Sequence, residues 1–342
     1  MSVRPVRPPR WLAEVWRRPG GAFGVTVVGF VLLSAVVSLF WTPQPLLATD
    51  TSAGWLGPSA THLLGTDQIG RDVFSWLLAG SRTTVVVVVA ATALTALIGF
   101  PLGALSALLP ARLSEPLVVL IDILVAFPVL LVAMLLSAPF GGSLGVVVVA
   151  VGFGAGVNVA RVTRPEILRV SQSDYMLAAR ASGVGTVSGL LQHVAPNVGP
   201  VAIVQLSQAA GTAILAEAGL TFLGYGAPSS TPSWGRSLSD AQSFIGVAPA
   251  SVVWPGLAIA LTVLALNLLG DAVREALDPR LRRAGVATGP ETVTVSSGIA
   301  APDGADGRVD PDAVRGDIPP AARPLAVTGS GTARGQGADH VA

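Results

Sequence analysis

Six long apolar segments constrain this chain more than any other feature of its sequence. They cover residues 22–42, 83–108, 117–139, 144–161, 198–220 and 251–271. A helix of about 20 apolar residues is long enough to cross the hydrocarbon core of a bilayer. Inside a bilayer the backbone must satisfy its own hydrogen bonds, which helices do. We therefore predict an all-α, polytopic protein with six transmembrane helices, located as a multi-pass protein in a cell membrane.

The distribution of arginine predicts how the six helices are oriented. Fourteen arginines lie in the N-terminal segment, in the loops after the second and fourth segments, and directly after the sixth; only Arg71, Arg82 and Arg236 lie in the remaining loops. Cytoplasmic loops carry the excess of basic residues in membrane proteins. Both termini and the long loop at 162–197 are therefore predicted to be cytoplasmic.

Composition divides the chain into four segments. We predict a cytoplasmic N-terminal segment (1–21), a first transmembrane helix with an extracytoplasmic loop (22–82), a five-helix core (83–285) and a disordered cytoplasmic tail (286–342). The tail is rich in Ala, Gly, Pro and Asp and has no hydrophobic period. In residues 71–78 apolar side chains recur at helical spacing, which predicts a short interfacial helix with Trp76 at the membrane surface.

The loop at 162–197 has the pattern of two short helices separated by a break. Residues 175–182 contain good helix formers, and Ser171, Ser173 or Asp174 can cap their start. Gly183 and Gly185 then interrupt the pattern, and a second helix is predicted over 186–194. Pro196 is expected to end the cytoplasmic segment just before the fifth span. The spacing indicates a compact elbow suited to docking a soluble partner.

Small residues in the first of these helices favour close contact with that partner. Ala178 and Ala179 would let the helix backbone enter a narrow cleft, and Ala181 and Ser182 place no bulky side chain in its last turn. The alternative is a surface helix that has no partner.

Several residue types are missing, and their absence excludes classes of chemistry. Lysine is absent, although a Walker A loop needs its lysine on the nucleotide phosphates. If this chain takes part in ATP-driven transport, the ATPase must therefore be another polypeptide. There is no cysteine, and the three histidines are scattered without metal-ligand spacing. We expect no catalytic residues, no cofactor, no bound metal and no nucleic-acid partner.

A few polar and small residues inside the apolar segments are candidates for structural or pathway roles. Ionisable side chains in a membrane are costly, which draws attention to Asp122, Glu217 and Asp271. Each can also reach the membrane interface or pair with a neighbouring helix. Pro128 is expected to kink the third helix. The Gly152-x-x-x-Gly156 spacing favours close approach of another helix to the fourth.

The elbow and several other segments resemble one family of transporters. Leu177-Ala178-Ala179, followed by Gly183 and Pro196, resembles the Glu-Ala-Ala loop of ABC importer permeases. The chain is more closely similar to the C-type membrane subunit of dipeptide, oligopeptide and nickel importers. That similarity rests on residues 62–74, 193–197, 217–224, 232–235 and 267–280. One departure is Leu177, which stands where the family has glutamate.

The resemblance implies a function, partners and a role for the elbow. It implies a non-catalytic membrane subunit of a binding-protein-dependent importer in a bacterial inner or plasma membrane. The expected partners are a homologous permease subunit in a heterodimer, ABC ATPase subunits, an extracytoplasmic solute-binding protein and membrane lipid. Tyr175, Leu177, Ala178, Ala179, Gly183 and Pro196 are expected to form the ATPase-coupling loop. Di- and oligopeptides are the expected cargo.

Three alternatives remain open from the sequence. Nickel or another small solute is a second cargo within the same class. An ion-coupled secondary transporter would need ionisable residues near the middle of the membrane, and no such arrangement is clear. A membrane-embedded enzyme would need a catalytic cluster. His62 and Asp67 lie close together in sequence, but a structural role in their loop explains that pair.

Overall fold

The computed structural model describes residues 10–277, and within that range the chain is built from α-helices without a β-strand. The helices are α1 (Arg10–Arg17), α2 (Pro19–Phe40), α3 (Val73–Leu108), α4 (Ala111–Val125), α5 (Val129–Phe140), α6 (Leu144–Ser171), α7 (Asp174–Ala181), α8 (Thr186–Gly189), α9 (Ala195–Phe222), α10 (Trp234–Gln242) and α11 (Ala250–Leu277). A short 3-10 turn at Thr51–Ala53 and a π-helical turn at Leu190–Val194 complete them. The all-α fold is confirmed; the predicted tail at 286–342 lies outside the described residues.

Five straight helices are long and apolar enough to cross a membrane. They are α2, α3, α6, the continuous helix Thr186–Phe222, and α11. The remaining predicted span, the third along the chain, corresponds to the pair α4 and α5, whose axes are bent by 81°. Three spans extend well beyond the predicted limits: α3 begins at Val73, α6 continues to Ser171, and the fifth begins at Thr186. These extensions carry the spans out into their connecting loops.

The bend in the third span lies where Pro128 was expected to kink it. Pro128 is the N-cap of α5, because proline has no N–H to continue the hydrogen-bond ladder of α4. Ile121 of α4 packs against Val157 and Ala160 of α6, whereas Ala133 of α5 belongs to the cluster of Val87, Val147 and Leu220. The two halves therefore pack against different parts of the bundle.

The bundle has two ends, which we name by the segments they carry. The elbow end carries residues 172–194, the start of α2 and the end of α11. The loop end carries residues 41–72 and 223–249. At the elbow end, Val15 of α1 is buried against Ala272 and Ala276, so both described chain ends lie on this side.

Glycines set a close helix contact in the core, between α3 and α6. A Cβ atom on Gly152 would lie 2.8 Å from Leu94 Cβ, and one on Gly156 would lie 3.0 Å from Ile98 Cβ. The predicted role of this small-residue pair in helix packing is therefore confirmed. Against α3 and α6 lies α9, which also packs on α11. The fifth span is thereby the central helix of the chain.

The predicted interfacial helix around Trp76 is wrong. Residues 73–108 form one continuous helix, because nothing between Leu78 and Thr83 interrupts it. The Trp76 side chain is buried, its Nε1 donates to the carbonyl of Leu46 at 3.1 Å, and the Arg71 guanidinium lies 4.2 Å from its ring centroid. Trp76 therefore holds the preceding loop against α3.

Ion pairs and caps order the rest of the loop end. Arg71 donates from Nε to Asp67 at 2.6 Å and from Nη2 to Asp240 of α10 at 3.3 Å. His62 Nδ1 lies 3.1 Å from Asp72, which also caps α3 through the N–H of Ser75. His62 pairs with Asp72 and Asp67 pairs with Arg71, which supports a structural role in the loop for both His62 and Asp67. Hydrogen bonds from the Ser52 hydroxyl and N–H lower the pKa of Asp50.

Candidate functional site

The elbow begins with the short helix α7, directly after α6. Ser173 is its N-cap residue, but the Ser173 hydroxyl donates to the carbonyl of Val170 at 2.6 Å and does not cap the helix. Asp174 in the first turn and Arg180 in the last complement the helix dipole. The predicted helix at 175–182 is thus confirmed with a shift of one residue. The expected side-chain cap is not formed.

Two features fix the fold of the elbow. Gly183 adopts φ +88°, and the chain turns there through hydrogen bonds from Gly183 N to Arg180 O at 2.9 Å and from Val184 N to Ala179 O at 3.1 Å. Positive φ at the residue after a helix favours glycine. Met176 is buried, and a Cβ on Gly189 would lie 2.4 Å from its terminal methyl group. The small Gly189 therefore makes room for Met176, which joins α7 to α8.

Pro196 does not end the segment, contrary to expectation. The helix runs through it without a break from Thr186 to Phe222. Just before the proline, Ala195 N bonds to Leu190 O in π-helical geometry. That wider turn relieves the clash that a proline ring makes with the carbonyl four residues earlier. The elbow is consequently continuous with the central span, along a helix of roughly 55 Å.

The elbow presents an exposed apolar patch at the end of the bundle. Tyr175, Leu177, Val187 and Leu191 are 48–69% exposed. Val187 and Leu191 are spaced by four residues and share one side of their helix. Ala178 is also exposed and Ala179 is half-buried, so small residues leave the α7 backbone accessible. Below the patch, Val194 and Val198 pack against Ile167 and Leu108, which anchors the elbow in the core.

A second feature is a polar stripe on α9, formed by Gln205, Gln208 and Thr212. Their spacing of three and four residues places them on one side of the helix. Gln208 and Thr212 are exposed, whereas Ala209, Ala213 and Ile214 on the other sides are buried. The central helix therefore turns its polar side out of the bundle.

Two open grooves flank the polar stripe. One has a volume of about 220 Å³ and lies between the α4–α5 bend, α6 and α9, with Asn158 on its wall. The other has a volume of about 390 Å³ and lies between α9 and α11, bordered by Asn267 and Asp271. Gln208 and Thr212 line both grooves. Asp271 thus belongs to this polar face, at the elbow end of α11.

Asp122 lies apart from the grooves and pairs with a neighbouring helix. Its Oδ1 lies 3.3 Å from Arg161 Nε of α6, and both side chains are about half exposed. Asp122 therefore links α4 to α6. Pairing with a neighbouring helix was one of the two structural roles expected for this residue. Among the described residues, no group of three His, Cys, Asp or Glu side chains is placed to hold a metal ion.

Glu217 is buried within the bundle and takes no part in the polar face. Its Oε1 accepts hydrogen bonds from Ser233 Oγ at 2.8 Å and Thr221 Oγ1 at 3.0 Å. Ser233 is the N-cap of α10, and Trp234 Nε1 donates to Leu77 O of α3 at 2.9 Å. We call Glu217, Thr221 and Ser233 the Glu217 clasp. It ties α10 to the loop end of the central helix.

Sequence reasoning missed the polar stripe and half of the apolar patch. The stripe carries a readable signal, since Gln205, Gln208 and Thr212 repeat at helical spacing in an otherwise apolar span. Val187 and Leu191 show the same four-residue spacing. Their exposure, however, depends on the continuous helix through Pro196, which the sequence did not predict.

The fold and these sites define a class of protein: a multi-span membrane subunit with a helical elbow at one end and a polar face on its central helix. The chain belongs to the family of binding-protein-dependent transport system inner membrane components, whose model matches residues 99–283. The match includes the elbow, the polar stripe and the Glu217 clasp.

Similar proteins include several bacterial permeases. The dipeptide transport system permease protein DppC of Escherichia coli K12 is 38% identical over 80% of this chain and 94% of its own length. The nickel transport system permease protein NikC of the same strain is 33% identical over 75% of this chain and 92% of its own. The glutathione transport system permease protein GsiD of Pectobacterium atrosepticum is 35% identical over 79% of this chain and 91% of its own length.

A solved structure shares the fold. It is an inward-facing structure of the MetNI methionine ABC transporter, with a TM-score of 0.51 and 17% sequence identity. The match covers 59% of this chain and 96% of the other. The chain is accordingly a multi-pass inner-membrane component of an ABC importer.

Proposed function

We propose that this chain is one membrane half of an ATP-driven importer of di- and oligopeptides, coupled to a separate ATPase through the elbow. In this proposal the elbow end faces the cytoplasm, as the arginine distribution predicts. The observation that carries the proposal is the continuous helix Thr186–Phe222, which joins the exposed patch of the elbow to the polar stripe. A partner that moves the elbow would move the stripe with it.

The coupling step follows from this rigid connection. The groove of an ATPase subunit would receive α7 through Ala178 and Ala179, with Tyr175 and Leu177 packing at its rim. ATP binding changes the conformation of the ATPase, which then makes different contacts with the elbow. These different contacts shift the equilibrium between the two conformations of the membrane subunit. Rigid-body movement of a packed helix then switches the polar face between its two openings. ATP hydrolysis itself belongs to the partner, since this chain has no lysine for a Walker A loop.

The polar stripe supports a second permease subunit as the other half of the pathway. Polar side chains in a transmembrane helix are stabilised by facing another helix or a water-filled cavity. Gln208 and Thr212 have neither among the described residues, because they border open grooves. We propose that a homologous subunit covers this face and that the stripe lines the passage between the two. An extracytoplasmic solute-binding protein would deliver the cargo at the loop end.

Peptides are the proposed cargo because of the chemistry of the stripe and of the similar proteins. Amide and hydroxyl groups of Gln205, Gln208, Thr212 and Asn158 match the donors and acceptors of a peptide backbone. The similar proteins named for dipeptides and glutathione carry cargo of this kind. Nickel or another small solute is the second candidate, which the nickel permease favours.

Uptake of labelled dipeptide into proteoliposomes tests the proposal. The full complex, purified with its own ATPase, permease and binding protein, should accumulate dipeptide only with ATP. Replacing the Walker lysine of the ATPase should reduce uptake to the background, because the energy source is lost. An ionophore that dissipates the ion gradient should have no effect.

The opposite pattern would contradict this assignment. Uptake that survives the ATPase substitution and stops with the ionophore would identify an ion-coupled secondary transporter. ATP-dependent uptake of Ni²⁺ without uptake of peptide would support the assignment as an ATP-driven importer and change its cargo from peptide to nickel.

A further inference from the structure

Glycines hold α2 and α11 close together at the elbow end. A Cβ on Gly24 would lie 2.8 Å from the carbonyl oxygen of Ala265, and one on Gly21 would lie 3.0 Å from Ala272 Cβ. Only small residues allow two helix backbones to approach in this way. The contact fixes the two helices at one end and leaves their separation at the other end to the side chains there.

Towards the loop end a groove of about 210 Å³ lies between α2, α11 and the first turns of α3. We call it the α2–α11 groove. Its walls include Val27, Val31 and Ser34 of α2, Leu261 of α11 and Leu77 of α3. The groove extends over seven residues of α2, or roughly 10 Å along the helix axis. It therefore runs along the direction in which the spans cross the membrane.

The lining of the α2–α11 groove is mainly apolar, and two of its three hydroxyl residues are hydrogen-bonded within their own helices. Ser81 Oγ donates to Leu78 O at 2.6 Å, and Thr262 Oγ1 donates to Ala258 O at 2.6 Å. Both hydroxyls are thus satisfied within their own helices. At the edge of the groove, Phe30 is 67% exposed on the apolar outer surface of α2. The groove is continuous with the surface that contacts lipid.

An arginine lies near the loop-end mouth of the groove. Arg82 Nε donates to Ser38 Oγ at 2.6 Å, and Ser38 is one helical turn beyond Ser34. Within residues 10–277 no carboxylate lies within ion-pairing distance of Arg82. The residue directly precedes the apolar segment 83–108, at the level expected for lipid headgroups. Its guanidinium is therefore held in place with donors left for an anion.

We propose that the α2–α11 groove binds one acyl chain of an anionic phospholipid, whose phosphate pairs with Arg82. The apolar length of the groove suits a hydrocarbon chain, and a guanidinium binds phosphate through charge-assisted hydrogen bonds. A helix of a second subunit is the competing occupant. The lipid is favoured because the positive charge of Arg82 beside the groove complements a phosphate headgroup. The proposal depends only on the location of the chain in a membrane.

Photolabelling of the full-length protein in nanodiscs tests this site. The probe is a phosphatidylglycerol with a diazirine in its acyl chain, and peptide mass spectrometry maps the label. When the probe is diluted with unlabelled phosphatidylcholine, labelling of Val27, Val31 and Leu261 should persist, while labelling of Leu33, which is 61% exposed elsewhere on α2, should fall in proportion to the dilution. Ala258→Phe fills the groove and should remove this labelling. Ala260→Phe, on the exposed side of the same helix, should not.

The headgroup contact has its own readout. Arg82→Gln should lower the preference for the phosphatidylglycerol probe over a matched phosphatidylcholine probe by roughly fivefold, the effect of one basic residue near a headgroup. An equal loss of label from Val31 and Leu33 on dilution with phosphatidylcholine would overturn the acyl-chain site. Groove labelling that disappears when the permease partner is added would assign the groove to a protein helix. An unchanged lipid preference in Arg82→Gln would overturn the role of Arg82.

Discussion

Gly183→Val should reduce ATP-driven uptake by the reconstituted complex about fivefold or more, while the protein still inserts into the membrane. Gly183 has φ +88°, and a β-branched residue there is strained by roughly 1–3 kcal/mol. The strain would be relieved by turning the chain differently after α7, which displaces the elbow. Because 1.4 kcal/mol corresponds to a factor of ten, even the lower half of this range is a large effect on coupling. Uptake is measured as initial rate per reconstituted complex.

Gly183→Asn is the matched control for this result. Asparagine is similar in size to valine but tolerates positive φ. Among the described residues, no atom lies within 4 Å of a Cβ placed at position 183, so the first side-chain atom of either residue has room. Asn should therefore retain most of the uptake. Full activity in Gly183→Val would show that the shape of the elbow does not matter for coupling, against our account.

Glu217→Ala should lower the melting temperature of the solubilised protein by roughly 4 °C or more, at about 2–4 °C per kcal/mol and at least about 2 kcal/mol in all. The substitution removes the acceptor of two buried hydroxyls, on Thr221 and Ser233, and leaving each unsatisfied costs roughly 1–3 kcal/mol. It also frees the start of α10 from the central helix. Uptake should fall as well, because the loop end would no longer follow the movement of α9.

Glu217→Gln separates the hydrogen bonds from the acidity of this side chain. The amide retains an oxygen that can accept from both hydroxyls, so Tm and uptake should stay near the wild-type values. A proton-relay role would instead require the carboxyl group itself. Loss of uptake in Glu217→Gln with an unchanged Tm would therefore contradict the structural role of the Glu217 clasp.

The apolar periods of the sequence predicted the helices, because burial in a bilayer leaves few other structures for such segments. Proline and glycine positions were less informative. Pro128 breaks its span, whereas Pro196 lies in a continuous helix, because the π-helical turn before it accommodates the ring. That turn depends on packing of Val194 and Val198 against α3 and α6, which a local pattern does not encode.

The candidate sites likewise combine features that local sequence predicts with features that only tertiary packing determines. Gly183 and the small residues of α7 follow from local rules, since a glycine after a short helix indicates a turn with positive φ. One partner of Glu217, by contrast, is Ser233, sixteen residues away at the start of another helix, and the buried Trp76 depends on a loop folded over it. Contacts of this kind are set by tertiary packing, and the sequence pattern alone predicted an interface position for Trp76.

Site-specific cross-linking from the elbow tests the central claim most directly. The chain has no cysteine, so Leu177→Cys can carry a single thiol-reactive photo-cross-linker in the full complex. Ser229→Cys, exposed at the loop end, is the control. We predict cross-links to the ATPase from position 177 alone, together with loss of ATP-driven uptake. Cross-links to the ATPase from position 229, with none from position 177, would contradict the account.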